Sequence, residues 1–139
     1  MDDFEVRRLE PGEWAGVFPI VLQLRPHLTA EQFLSQVRRQ SHSGYELVGA
    51  FRAGRIVGVL GMRPVHTLTR GPHLHVDDII IDERERKAGG GRALMNYAEA
   101  DARARGMATV FLDARPAAIG FYKTLGYDLH TTPSMKKVL

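Results

Sequence analysis

Apolar residues follow two different spacings along this chain, and the places where the period changes lay out the elements. Phe4-Glu5-Val6-Arg7-Arg8-Leu9 alternates and predicts a first strand. From Pro11 to Leu24 the apolar positions Trp14, Val17, Phe18, Val21 and Leu22 recur at helical spacing. Pro11 suits a first helical turn and Pro26 stops the run. Thr29 then heads a second helix, with Gln32 placed as its capping-box partner and Phe33, Leu34 and Val37 on the apolar side.

From Tyr45 the period shortens to that of a strand. Tyr45 to Phe51 and Arg55 to Gly61 predict a hairpin turned at Arg52-Ala53-Gly54. Gly58 and Gly61 read as positions of close packing or a bulge. A third strand, Leu74 to Ile81, precedes a helix from Gly90 to about Arg105 that carries Leu94, Met95, Tyr97 and Ala98 inward and ends at Gly106. Thr109 to Asp113 predicts a buried strand and Ala117 to Leu125 a short helix closed by Gly126. A last, weakly alternating strand is expected from Tyr127 onward, interrupted by Pro133. The order β-α-α-β-β-β-α-β-α-β predicts an α/β protein in the α+β sense: a mixed sheet with helices on both faces. No repeat or linker divides the 139 residues, so one domain, 1–139, is expected.

Composition narrows the function classes. The chain has no cysteine, which excludes disulfide scaffolds, thiolate metal sites and cysteine nucleophiles. Its histidines lack metal-ligand spacing, and no metal is expected. The acidic start Met1-Asp2-Asp3-Phe4-Glu5 lacks the basic-then-apolar order of a signal peptide, and no apolar run is long enough to span a bilayer. A cytoplasmic protein without a membrane partner is expected. The net charge is +3, but the basic cluster Arg84, Arg86, Lys87 and Arg92 is mixed with Asp82, Glu83 and Glu85. Without a basic recognition helix, that fits a small phosphorylated ligand better than nucleic acid.

The candidate chemistry starts at Arg86-Lys87-Ala88-Gly89-Gly90-Gly91-Arg92, where the strand ending at Ile81 gives way to a helix. Small residues let backbone N–H groups close around an anion, and the helix adds its unpaired N–H groups and positive dipole end. The glycine spacing fits neither a dinucleotide fingerprint, since Leu94 stands where the third glycine should be, nor a Walker loop. The pattern present is R-x-x-G-x-G.

That loop, the element order, and the run Phe121-Tyr122-Lys123-Thr124-Leu125-Gly126-Tyr127 together resemble the GNAT superfamily of acyl-CoA-dependent N-acetyltransferases. The likeness spans nearly the whole chain and is strongest from His75 to Tyr127. It implies acetyl-CoA as co-substrate, with its pyrophosphate on the loop from Arg86 to Arg92. Its pantetheine arm is implied to pair with Ile79, Ile80 and Ile81 as an extra strand. Many members carry Asn seven residues before the signature tyrosine; here that position is Arg115, a cation suited to the cofactor's phosphates. Tyr122 is implied as the proton donor to the departing thiolate, or as an anchor for the cofactor arm. Phe121 and Tyr127 are expected in the core.

The resemblance also places base or water-relay residues at His75 and Asp77. Strand alternation predicts that His75, Asp77, Ile79 and Ile81 share one face while Val76, Asp78 and Ile80 share the other. Asp78 is then expected to cap a turn or pair with an arginine. Acceptor specificity is expected from Leu24 to Ser43 and from His66 to His73, with His27, Gln32, Arg38 and Tyr45 forming a polar pocket. The expected activity is acetyl transfer to a primary amine on a small molecule or peptide, by direct attack in a ternary complex. The competing expectation is a non-catalytic acyl-CoA-binding or regulatory module on the same fold. A homodimer follows from the family's habit.

Overall fold

Five strands make one sheet, in sequence order from edge to edge, in the computed structural model, which describes residues 3–139. Met1 and Asp2, the first two residues of the acidic start, lie outside the described residues. The strands are β1 (Glu5–Arg8), β2 (Glu46–Arg52), β3 (Arg55–Thr67), β4 (Gly71–Ile81) and β5 (Val110–Leu112). The first four are antiparallel neighbours, and β5 lies parallel to β4 after a crossover through helix α3 (Gly90–Ala104). Ala53 and Gly54 turn the β2–β3 hairpin with φ of 51° and 77°, the left-handed pair that matches the twist of the strands it joins.

Alternation along β2 and β3 sends side chains to two cores. Leu47, Val59 and Ile80 meet Trp14, Phe33 and Val37 beneath helices α1 (Phe18–Leu24) and α2 (Ala30–Ser41). Val48, Leu60, Met62 and Leu74 meet Leu94, Met95 and Ala98 of α3, with Tyr122 of α4 (Ile119–Thr124) at the margin. The mixed sheet with helices on both faces is therefore as expected.

Three expectations need correction. The single helix from Pro11 to Leu24 is divided: Pro11–Val17 is 3₁₀ and α1 starts at Phe18. Pro19 lacks an N–H and its ring crowds the carbonyl of the preceding turn, so an α-helix cannot run through it. β3 and β4 extend beyond their predicted ends and stay paired as far as Thr67 and Gly71. His66 to His73 is thus a hairpin tip at the opposite end of the ribbon from Ile81. His73 is buried there, its Nδ1 3.0 Å from the Gly71 carbonyl oxygen. Finally, no strand forms from Tyr127 onward among the described residues, and β5 is the sheet edge. Pro133 removes a donor, the polar Thr131-Thr132 breaks the alternation, and Leu129, Met135 and Val138 stay exposed.

Helix ends are fixed by chemistry legible in the sequence. Thr29 Oγ1 accepts the Gln32 N–H at 3.1 Å while Gln32 Oε1 accepts the Thr29 N–H at 3.0 Å. Gly106 (φ 77°) closes α3: its N–H reaches the Arg103 carbonyl at 3.1 Å, and the Met107 N–H reaches that of Ala102 at 2.9 Å. No described helix is long and apolar enough to cross a membrane.

Candidate active site

The site begins where two parallel strands part. β4 pairs with β5 only from Leu74 to Val76, opposite Val110 to Leu112. Beyond that point β4 continues to Ile81 while the chain leaving β5 turns toward α4. The edge of Asp77 to Ile81 is left without a strand neighbour, and its main-chain groups face a cleft of about 640 Å³. An unpaired edge of this kind accepts an extended chain as an additional strand.

At the far end of that edge lies the glycine loop. Asp82 accepts the Arg84 N–H at 3.2 Å, and Gln23 Oε1 accepts the Glu83 N–H at 3.0 Å, which ties the approach to α1. Lys87 (φ 67°) and Gly89 (φ 100°) then take left-handed conformations just before α3 opens at Gly90. A lysine in that region carries strain, which the fold sustains where the backbone must curve. No side chain caps α3. The first N–H groups of the helix have no intrahelical acceptor, and they open onto the cleft beside Arg86, Lys87 and Arg92. Space is also tight: a Cβ at Gly90 would lie 3.2 Å from Ile81 Cδ1, and one at Gly91 3.0 Å from Phe121 Cζ, so either neighbouring side chain would have to give way slightly.

Tyr122 forms the opposite wall. Gly126 (φ 92°) ends α4 in the same motif as α3, with the Gly126 N–H on the Lys123 carbonyl and the Tyr127 N–H on that of Tyr122, both at 3.0 Å. The Tyr-x-x-x-Gly-aromatic spacing is thus a helix terminator, and it holds the Tyr122 ring between Phe121 (centroids 5.2 Å apart) and Tyr127 (6.1 Å). Burial pushes the Tyr122 phenol above its ordinary pKa, with the positive charge of Arg115 pulling back. Arg115 lines the same cleft. Phe121, expected in the core, is instead part-exposed on the cleft wall; Tyr127 does pack on the core, its hydroxyl donating to Glu99 at 2.9 Å.

The strand-parity expectation fails at one residue. Gly61 pairs with Asp78 and Met62 with Val76, so Asp77 is an extra residue bulged out of the ladder. Before the bulge, Leu74 and Val76 face α3; after it, Ile79 and Ile81 do. Asp77 and Asp78 consequently point the same way, toward α1 and α2, where both line a second cavity of about 460 Å³. His75 lines neither this cavity nor the cleft. Its Nδ1 lies 3.1 Å from Asp77 Oδ1, too far off line for a hydrogen bond, while Arg63 donates to Asp77 from Nε at 2.7 Å. Burial works to raise the Asp77 pKa, but the His75 and Arg63 contacts outweigh it and hold the carboxyl below its usual range. Asp78 pairs with an arginine, as expected: it accepts from Arg25 Nη2 at 3.0 Å and from the Tyr45 hydroxyl at 2.6 Å.

The second cavity meets the cleft along Arg25, Asp77, Asp78 and Ile80, which line both. His27 and Tyr45 reach it as expected. Gln32 is instead spent on capping α2 and Arg38 is exposed, and neither lines the cavity; nor does any residue from His66 to His73. Sequence reasoning held Arg25 only within the broad stretch Leu24 to Ser43, and it missed the cleft-wall place of Phe121 and the cavity-facing side of Asp78. The signal for Asp78 was Gly61: a bulge there, carried across the ladder, reverses the faces of β4. A third cavity, about 670 Å³, lies along the outer edge of β5 between Glu99 and His130; it shares Leu112, Asp113 and Tyr122 with the cleft, and no residue of the glycine loop lines it.

Comparison with known proteins agrees with this geometry. The sequence model of the acetyltransferase (GNAT) family matches residues 8–127. A glucosamine 6-phosphate N-acetyltransferase of Trypanosoma brucei brucei is 30% identical over 138 residues, covering 92% of this chain and 91% of that protein. An uncharacterized N-acetyltransferase of Bacillus subtilis is 29% identical over 103 residues, covering 73% of this chain and 72% of that one. Among solved structures, a Trypanosoma brucei acetyltransferase superposes with a TM-score of 0.81 at 25% identity, covering 98% of this chain and 100% of the other. An aminoglycoside N-acetyltransferase in complex with CoA shares the fold, with a TM-score of 0.85 at 14% identity over 99% of this chain and 96% of the other. A free strand edge running into a loop of open N–H groups, on a chain matched along most of its length by this family, identifies it: the chain belongs to the GNAT family and is an acyl-CoA-dependent N-acetyltransferase.

Proposed function

We propose that the cleft between β4 and β5 holds acetyl-CoA and that the cavity beneath α1 and α2 presents a primary amine to it. The observation that carries this reading is the continuous path from the unpaired edge of Ile79 to Ile81 into the N–H groups of residues 87–92. Along that path the main chain of Ile79, Ile80 and Ile81 pairs with the pantetheine arm. Backbone N–H groups from Lys87 to Arg92 hold the pyrophosphate, helped by the charges of Arg86, Lys87, Arg92 and Arg115. Residues 1–139 act as one catalytic domain.

Transfer proceeds by direct attack of the amine nitrogen on the thioester carbon. A main-chain N–H on the Ile79-to-Ile81 edge stabilises the charge that develops on the carbonyl oxygen. As the carbon–sulfur bond breaks, Tyr122 donates its proton toward the thiolate and is later reprotonated from solvent. The amine must arrive neutral, although alkylamines are charged at pH 7. Asp77, ionised and held by Arg63 and His75, relays the proton leaving the amine nitrogen to water; His75 acts from behind Asp77. The low pKa of Asp77 supports this relay role over that of a direct base.

The acceptor is a primary amine, with amino-sugar phosphates, arylalkylamines, aminoglycosides and peptides as the classes to compare. The test is thiol release from acetyl-CoA over such a panel, with the acetylated product confirmed by mass. Amine-dependent thiol release supports the enzyme reading. Tight acetyl-CoA binding without release on any amine would favour a non-catalytic acyl-CoA-binding module. We also propose a cytoplasmic homodimer, and a monomer mass by light scattering would contradict the dimer.

A further inference from the structure

We propose that Asp78 is the residue that receives the acceptor's ammonium, exchanging Arg25 for it, and that the acceptor so selected carries its amine on an uncharged, largely apolar body. This rests on the cofactor assignment above and assigns the substrate side of the same site.

The bulge at Asp77 brings two carboxylates to the seam between the cavities, but they are held differently. Asp77 is clasped by Arg63 through both oxygens, at 2.7 and 3.3 Å, with His75 beside it. It is committed. Asp78 has one firm contact and one that can be exchanged. Its Oδ2 takes the Tyr45 hydroxyl at 2.6 Å, a short charge-assisted bond from a buried phenol. Gly61 makes that bond possible: a Cβ there would sit 1.9 Å from Tyr45 Oη, so the phenol reaches Asp78 only across a bare backbone.

The other oxygen, Oδ1, takes a single nitrogen of Arg25 at 3.0 Å. Arg25 stands just past the end of α1, with φ −120° and ψ 67°, and its side chain is 38% exposed. A one-point pair at that exposure contributes little to stability, and an incoming ammonium replaces it without changing the local charge. Arg25 also lines the cofactor cleft, so on release it has that cleft to turn into.

The rest of the cavity limits what the ammonium can be attached to. Leu28, Phe33 and Val37 supply apolar wall, with Gln36 and Gln40 at the rim. Among the described residues lining it, Arg25 and His27 are the ones that can carry positive charge, against Asp77 and Asp78. A phosphate on the acceptor would have to be desolvated against that apolar wall, whereas an apolar amine meets the wall with its body and Asp78 with its ammonium.

The test is steady-state thiol release by the full chain with 2-phenylethylamine and glucosamine 6-phosphate as acceptors. A kcat/KM for 2-phenylethylamine at least about 10-fold the larger is expected, and this comparison needs no variant. Asp78→Asn should raise the KM for 2-phenylethylamine by about 10- to 100-fold, with acetyl-CoA affinity by calorimetry unchanged. Arg25→Gln should leave that KM equal or lower it, because it removes the competitor for Oδ1. A preference for glucosamine 6-phosphate, or an unchanged KM in folded Asp78→Asn, would overturn the proposal. Failure with both amines in a protein that still binds acetyl-CoA would count against it and spare the cofactor reading; loss of acetyl-CoA binding in the wild type would fell both.

Discussion

Replacing Tyr122 by Phe removes one oxygen and little else. The ring remains between Phe121 and Tyr127, and the Tyr122 carbonyl, which accepts the N–H groups of Leu125 and Tyr127 at 3.0 Å, is untouched. Stability should therefore change by no more than about 1 kcal/mol, and acetyl-CoA affinity should stay near the wild-type value. The rate is another matter. Burial holds the phenol proton more tightly than in water, and a free phenol, at about 10, already lies above a thiol, at about 8.5. Proton transfer to the thiolate is thus uphill, and the gain belongs at the low end of the general-acid range. We expect a loss of about 10²-fold in turnover, or about 2.7 kcal/mol of barrier. Single-turnover thiol release at saturating acetyl-CoA and acceptor isolates that step, and calorimetry checks binding. Normal turnover in Tyr122→Phe on a good acceptor would mean that the thiolate leaves unassisted and that Tyr122 is a wall of the cleft.

Other perturbations test separate parts of the structure. Gly89→Val forces a β-branched residue into φ 100°, at a cost of about 1–2 kcal/mol; calorimetry should show weakened acetyl-CoA binding, and an unchanged affinity would contradict the loop assignment. Gly126→Ala meets open space but sits at φ 92°, so thermal unfolding should show a loss of about 1 kcal/mol from backbone strain alone. The Glu13 carboxyl, bonded by Arg7 and by the Glu10 N–H, should titrate at about 2 in an NMR experiment. Because its pKa is depressed on folding, the stabilisation it gives is present above the ordinary carboxylate range and is lost as pH falls through about 2; Arg7→Gln should move the titration back up.

Much of the candidate site's geometry was legible because local chemistry fixes it. In R-x-x-G-x-G, Gly89 has a positive φ and Gly91 sits close against the Phe121 ring, and Gly126 terminates α4 so that Tyr122 faces the cleft. Thr29 with Gln32, and Ala53 with Gly54, are equally local. What escaped depends on residues far apart in the chain. The reversal of faces on β4 comes from a bulge set by Gly61 and Met62 of β3, and it turns Asp78 into the cavity beneath α1 and α2. Arg25 enters the site only because α1 ends beside β4. The missing last strand failed for a different reason: weak alternation with Pro133 inside it offers no face to bury.

A crystal structure of the protein with coenzyme A bears most directly on where the cofactor sits. The diphosphate should lie on the N–H groups of residues 87–92, with the pantetheine arm paired along Ile79 to Ile81 and its sulfur beside the Tyr122 hydroxyl. Coenzyme A bound instead along the outer edge of β5, in the cavity between Glu99 and His130, would contradict it.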